Sequence, residues 1–101
     1  MKAPRLDEAF ARSPRMVHRR IGAERVLVPL VGRGAGLDSI FSLNRVAAFV
    51  WEALDGARTG DDVVRRIVEA FEVEPERAAA DHLELVETLL EIGAVEPSPR
   101  R

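Results

Sequence analysis

Residues 43–59 restrict the fold of this chain more than any other stretch, because the chain changes there from a strand to a helix. An alternating segment ends at Leu43, and the next residue, Asn44, can cap a helix through its side chain. That helix carries the only tryptophan, Trp51, and an Asp-Gly pair followed by a threonine predicts its end and the start of another helix. The stretch contains no catalytic residue, so it indicates a binding module.

The first half of the chain predicts three short strands. They span Met16–Ile21, residues 25–31 and residues 39–43, with glycine-containing connections between them. In the third strand Phe41 and Leu43 share one face, and we expect both side chains to point into the core. Strands at such short spacing predict an antiparallel meander.

The second half of the chain predicts three helices, from apolar residues at three- and four-residue steps. The first follows the change from strand to helix, and the second spans residues 61–71 with Thr59 or Asp61 as its cap. The third begins at Pro75, a residue type that fits a first helical turn, and ends at Gly93. Three strands followed by three helices predict an α+β fold with a winged-helix-like arrangement.

The composition fits a single globular domain. The chain has 101 residues, of which 47% are hydrophobic and 32% are charged, and its formal net charge is -2. It has no cysteine, no apolar run long enough for a membrane span and no secretory signal, so we expect a cytoplasmic protein without disulfides. We expect residues 1–14 to form a flexible arm, residues 15–96 the domain and residues 97–101 a flexible tail.

The third predicted helix argues against DNA binding, an obvious function of a winged helix. A helix that reads DNA needs basic or amide side chains on its exposed face. With 100° between successive residues, Glu84, Glu87 and Glu91 fall on that face and would repel phosphates. The basic residues cluster instead towards the N-terminus, at Arg12, Arg15, Arg19 and Arg20. DNA binding therefore stays an alternative hypothesis that depends on this basic cluster.

Neither metal chemistry nor nucleophilic catalysis is predicted. His18 and His82 are the only histidines, and no motif joins either one to further ligands. Because a zinc site needs three or four ligands, the sequence predicts no metal site. Ser39 and Ser42 have no histidine nearby in the sequence, so neither is predicted to be a nucleophile. We expect no cofactor and no enzyme activity.

The apolar surface of the third predicted helix is wider than one packing seam requires. The row predicted to form the core seam is Ala79, Leu83, Val86 and Leu90. The adjacent flank row is Ala78, His82, Leu85 and Leu89. The flank row can pack against the sheet, or it can line a groove beside the third strand. Such a groove next to an unpaired strand edge can accept an extended peptide as an added strand, and the residues alone leave both interpretations open.

An ordered series of residues runs from the third predicted strand to the end of the third helix. It comprises Leu43-Asn44, Trp51, Leu54-Asp55-Gly56, Thr59, Val63-Val64, Phe71-Glu72-Val73, Asp81, Leu85, Leu89, Leu90 and Gly93. This series resembles PqqD-like proteins, the recognition elements of ribosomally made and later modified peptides. No single motif carries the resemblance, which depends on the order and spacing of the series and covers residues 16–96.

The resemblance implies a non-catalytic peptide chaperone with a winged-helix fold. Such a protein holds the leader segment of a precursor peptide as a strand added to its third strand, against its third helix. It presents the leader to a modifying enzyme, which would be a radical SAM protein or a leader peptidase. Carried onto this sequence, the implied peptide-binding residues are Ser39, Ile40, Phe41, Ser42, Leu43, Ala78, His82, Leu85 and Leu89.

The sequence departs at two places from the family member of pyrroloquinoline quinone synthesis. In that chaperone a Pro-Glu-containing segment precedes the Leu-Asn pair, whereas here residues 36–42 read Gly-Leu-Asp-Ser-Ile-Phe-Ser. Its first helix ends in Cys-Asp-Gly, whereas here Ala53 and Leu54 precede Asp-Gly. These departures favour a recognition protein for another modified peptide. The alternative hypotheses are a winged-helix DNA-binding protein and a structural subunit of an enzyme complex.

Overall fold

The computed structural model describes residues 3–29 and 40–98. The strands β1 (Ala9–Arg12), β2 (Met16–Ile21), β3 (Glu24–Pro29) and β4 (Phe41–Leu43) come first. They are followed by α1 (Arg45–Ala53), β5 (Asp55–Thr59), α2 (Gly60–Phe71), α3 (Pro75–Glu91) and β6 (Val95–Pro97). Together these elements form an α+β fold, and the strands of the described part make two three-stranded antiparallel sheets.

The sheet β2–β3–β4, called the edge sheet below, is the meander that the sequence predicts. Its register places Arg20 of β2 opposite Arg25 of β3, and Arg25 opposite Leu43 of β4. The prediction of a three-stranded antiparallel sheet followed by three helices is confirmed. Residues 30–39, which include the predicted ends of two strands, lie outside the described residues.

The helices begin where side-chain capping predicts. At α1, the Asn44 side-chain oxygen accepts a hydrogen bond from the backbone N–H of Ala47 at 2.8 Å. At α2, the side chains of Thr59 and Asp62 each accept a hydrogen bond from the other's backbone N–H. Pro75 is the first residue of α3, as predicted. Of the two residues predicted as possible caps of the second helix, Thr59 is therefore the one in use.

The sheet β5–β1–β6, called the core sheet below, is not predicted by the sequence and corrects the domain boundaries. β1 lies in its centre, with Phe10 opposite Pro97 and Ala9 opposite Thr59. The Phe10 side chain is 2% exposed and belongs to the hydrophobic core. The prediction that residues 1–14 form a flexible arm is therefore wrong for this strand, because the burial of Phe10 holds it in the domain.

The prediction of a flexible tail is wrong at its first residues. Pro97 is the last residue of β6, and the Ser98 N–H donates to the Ala9 carbonyl at 2.9 Å. The Ser98 hydroxyl donates to the Gly56 carbonyl at 2.7 Å. These hydrogen bonds hold the two ends of the domain in one sheet. Residues 99–101 lie outside the described residues.

The segment before β1 covers the start of α2. The carbonyls of Leu6 and Glu8 accept hydrogen bonds of 2.9 Å from the first two N–H groups of this helix. Those N–H groups have no partner within the helix, so the N-terminal segment supplies their acceptors. The close approach requires glycine at position 60, because a Cβ built on Gly60 would lie 2.9 Å from the Leu6 Cα.

The hydrophobic core draws side chains from both sheets and from α1, α2 and α3. Trp51 is 4% exposed and lies within this core. Arg12 of β1 donates from Nη1 to the carbonyls of Trp51 and Glu52, at 3.0 Å and 2.8 Å. These carbonyls lie in the last turn of α1, and the Trp51 carbonyl also accepts a hydrogen bond from the Leu54 N–H at 3.3 Å. Arg12 therefore joins the core sheet to α1.

Candidate functional site

β4 is the outer strand of the edge sheet and pairs with a neighbour on one side only among the described residues. Leu43 is buried and Phe41 is partly buried against the core, as predicted, whereas Ser42 is exposed. Ile40, just before the strand, is an exposed large apolar residue, and Ser39 lies outside the described residues. The outer edge of β4 presents backbone groups that can bond an added strand.

The flank row of α3 is largely buried and does not form the predicted surface. Ala78 and His82 are each 1% exposed, and Leu89 is 0% exposed. Of the predicted seam row, Val86 is 0% exposed but Ala79 and Leu83 are only partly buried, so the buried face of the helix extends from the seam towards the flank row. The reason is that two adjacent apolar rows both satisfy helical spacing, and packing against α2 and β6 decides between them. The assignment of Ala78, His82 and Leu89 to peptide binding is therefore corrected.

His82 is a core residue in this fold. Both ring nitrogens are buried and have no hydrogen-bond partner among the described residues, and Nε2 lies close to Gly60 of α2. Burial lowers the pKa of His82 to about 4, so the imidazole is neutral at pH 7. Within the described residues no group of three or more His, Cys, Asp or Glu side chains could hold a metal ion.

Leu85 is the member of the flank row that remains accessible. It is partly buried and lines an open groove of about 380 Å³ between the start of α1 and the middle of α3. We call this groove the edge groove, because Asn44, the residue that follows β4, also lines it. Its other lining residues are Val46, Ala47, Asp81, Glu84 and Thr88. The edge groove therefore combines apolar side chains with two carboxylates next to the end of β4.

The exposed side of α3 is acidic, as the sequence predicts. Glu84, Glu87 and Glu91 are all exposed. A DNA duplex would meet these carboxylates before it met a basic side chain of this helix. Arg12 belongs to the basic cluster considered for DNA binding, but its guanidinium donates hydrogen bonds to two carbonyls of α1. Both observations disfavour the winged-helix DNA-binding hypothesis.

The structure has a second, larger groove that the sequence does not predict. It measures about 850 Å³ and is bounded by the β2–β3 turn, the end of β4, α1 and the end of α2. We call it the arginine groove, because Arg20, Arg25 and Arg45 line it. Phe49 and Phe71 also line it and pack edge to face, with ring centroids 5.3 Å apart. The sequence shows that the first two strands are basic, but only the strand register brings their arginines together.

Within residues 3–29 and 40–98, every helix is too short or too polar to cross a lipid bilayer.

The sequence family described as coenzyme PQQ synthesis protein D (PqqD) matches residues 24–95 of the chain. The solved structure described as TbiB1 in complex with the TbiA(beta) leader peptide has a similar fold, with a TM-score of 0.69. Its sequence is 21% identical, and the match covers 85% of this chain and 94% of that chain. No curated protein matches the sequence.

Proposed function

The chain belongs to the PqqD family, and on that basis we propose that it is a non-catalytic protein that binds the leader segment of a ribosomally made precursor peptide. It presents the leader to a modifying enzyme, either a radical SAM protein or a leader peptidase. The similar fold of TbiB1, which was solved with a leader peptide, supports this proposal. The observation that carries it is the outer edge of β4, which has no partner strand among the described residues and lies beside the edge groove.

The leader binds in this proposal as a fourth strand of the edge sheet. Its backbone bonds the free N–H and C=O groups of β4, which supplies affinity without regard to sequence. Because side chains alternate along a strand, every second leader residue faces the helices. An apolar residue in that position enters the edge groove and contacts Leu85 and Val46. The backbone edge therefore binds the extended main chain of the peptide, and the edge groove selects an apolar side chain.

The proposed peptide-binding surface differs from the one implied by the family resemblance. The residues along β4 are retained, and Leu85 is the retained residue of α3. Val46 and Ala47 replace the buried residues of the flank row, because they line the edge groove. The surface therefore lies between β4, the start of α1 and α3.

An NMR titration tests the proposal. A ¹⁵N-labelled protein is titrated with candidate leader peptides encoded near its gene, and a scrambled peptide of the same composition is the control. We expect the leader to shift the amides of residues 41–43 and of residues 81–88, and the scrambled peptide to shift neither set. Shifts confined to Arg15, Arg19 and Arg20 would instead contradict strand addition at β4.

Leu85→Glu tests the edge groove itself. The variant places a carboxylate beside Asp81 and Glu84, so we expect at least tenfold weaker leader binding with the fold retained. Leu83→Glu is the matched control, because Leu83 is also partly buried on α3 but does not line the groove. Equal loss of binding in both variants, or none in either, would remove the edge groove from the proposed site. Circular dichroism checks that each variant is folded.

A further inference from the structure

Two arginines face each other across the β2–β3 hairpin. Arg20 lies directly opposite Arg25, and Arg25 lies opposite Leu43 of β4. Directly opposite residues project from the same face of a sheet, so Arg20 and Arg25 bring two positive charges together. Both side chains line the arginine groove. Like charges in this arrangement destabilise a sheet, and an anion bound between them would relieve their repulsion.

The carboxylates of the arginine groove neutralise this charge only in part. Glu52 lies 3.9 Å from Arg25, and the same carboxylate lies 3.8 Å from His18. The Glu52 side chain is 64% exposed, so water and salt weaken its attraction. Glu24 also lines the groove, which leaves three guanidinium groups against two carboxylates. The groove therefore retains a positive charge in a protein whose formal net charge is -2.

Arg45 approaches the same groove from the first turn of α1. Its guanidinium lies over the ring of Phe71, 5.6 Å from the ring centroid, and Phe71 packs against Phe49. This cation–π contact places the guanidinium at the wall of the groove, where its N–H groups can donate to a carboxylate. The two aromatic rings give this wall an apolar surface for the stem of an acidic side chain.

We propose that the arginine groove binds an acidic side chain of the leader peptide where the peptide leaves the β4 edge. This inference rests on the proposed function and extends it to the charge of the ligand. Ser42, Leu43 and Asn44 line the groove and also form the end of the edge strand and the residue after it, so the groove opens beside the end of β4. A Glu or Asp carboxylate there bonds the guanidinium groups and offsets the repulsion between Arg20 and Arg25.

Variants that each remove one positive charge measure the contribution of the arginine groove to binding separately from that of the β4 edge. Arg20→Gln and Arg45→Gln each remove one cation from the groove. Arg66→Gln is the matched control, because Arg66 is exposed on α2, lies outside the groove and carries the same charge. Each protein is titrated with a candidate leader peptide and with the same peptide after its Glu and Asp residues are replaced by Gln and Asn. Fluorescence anisotropy gives the dissociation constants, and NMR shows which amides move.

We expect Arg45→Gln to bind the acidic leader about tenfold more weakly than the wild-type protein and Arg66→Gln, because a charge-assisted hydrogen bond is lost. The neutralised peptide should bind all of these proteins with equal affinity. Arg20→Gln should weaken binding as well, yet its melting temperature without peptide should equal or exceed that of the wild type, since the cross-strand repulsion is removed.

Two kinds of failure can be told apart. If the leader shifts the amides of residues 41–43 but binds the groove variants as tightly as the control, the inference is overturned and the proposed function stands. If no leader shifts that strand, the proposed function fails. A hexaglutamate peptide then tests the groove alone, with hexaglutamine as its control. Amide shifts at Arg20 and Arg45 would show an acidic-peptide site whose occupant is not the leader, and no shifts would overturn the groove as an anion site.

Discussion

The core sheet and the edge sheet each contain three strands, but their strands come from different parts of the chain. In the core sheet, β1 lies between β5 and β6, which follow much later in the sequence, and its Phe10 is buried. In the edge sheet, neighbouring strands are successive along the chain, and β4 keeps one side unpaired among the described residues. The side chains of β2 are half-buried or exposed. Both sheets nevertheless bury side chains in the core, with Leu27 and Leu43 from the edge sheet and Phe10 from the core sheet.

Phe10→Ala gives the largest expected effect and tests how strongly the burial of Phe10 stabilises the fold. Truncation of a fully buried phenylalanine leaves a cavity and costs about 3–5 kcal/mol of unfolding free energy. Phe41→Ala on the edge sheet is the comparison, and we expect a smaller loss because Phe41 is only partly buried. Urea denaturation followed by circular dichroism measures both. Equal losses would contradict the expectation that the more deeply buried phenylalanine stabilises the fold more.

Acid should weaken the protein through His82, which lies next to the start of α2 on the core-sheet side. Its pKa is about 4 in the folded protein against 6.5 in the unfolded chain, so the folded state binds this proton more weakly. The contribution of neutral His82 is complete above pH 6.5 and is lost as the pH falls towards 4, by about 3 kcal/mol. Below pH 4 no further loss arises from this residue.

The acid effect is measured by urea denaturation at pH 4, 5, 6 and 7. His82→Leu is the comparison variant, because leucine fills a similar buried site and does not titrate. We expect its unfolding free energy to fall less between pH 7 and pH 4 than that of the wild type. Parallel curves for the two proteins would show that the acid sensitivity arises elsewhere.

Asn44→Ala gives the smallest expected effect and tests the junction between the edge sheet and α1. The variant removes the side-chain acceptor for the Ala47 N–H, which should cost about 1 kcal/mol of unfolding free energy. Asn44→Asp keeps an acceptor at the same position and should lose much less. Thermal unfolding monitored by circular dichroism compares the three proteins. A loss as large as that of Phe10→Ala would mean that Asn44 stabilises more than the first turn of α1.

Local chemistry explains which parts of the fold the sequence predicts. The start of α1 depends on the Asn44 side chain and a backbone N–H three residues later, and the start of α2 depends in the same way on Thr59. Pro75 marks the first turn of α3 through its own backbone geometry. The β2–β3–β4 meander joins segments that are close in sequence. Each of these features can be inferred from a short window of residues.

The features that the sequence does not predict depend on contacts between distant residues. β1 is a four-residue strand, Ala-Phe-Ala-Arg, whose partners lie in β5 and β6, so its own pattern carries little strand signal. The orientation of α3 depends on which of two apolar rows α2 and β6 cover, and His82 and Leu89 are buried as a result. The arginine groove depends on the register that places Arg20 opposite Arg25.

The central position of β1 also sets an order of events during synthesis. Among the described strands, β1 is made first and its partner β6 is made last, so the other described elements lie between them in the sequence. Pairing over such a long separation closes a large loop before any contact stabilises it, which slows folding. We expect the β2–β3 hairpin and the helices to form early and the core sheet to close only after the C-terminal residues have been translated. A chain that stalls before β6 would leave Phe10 without its covering strand and available for aggregation.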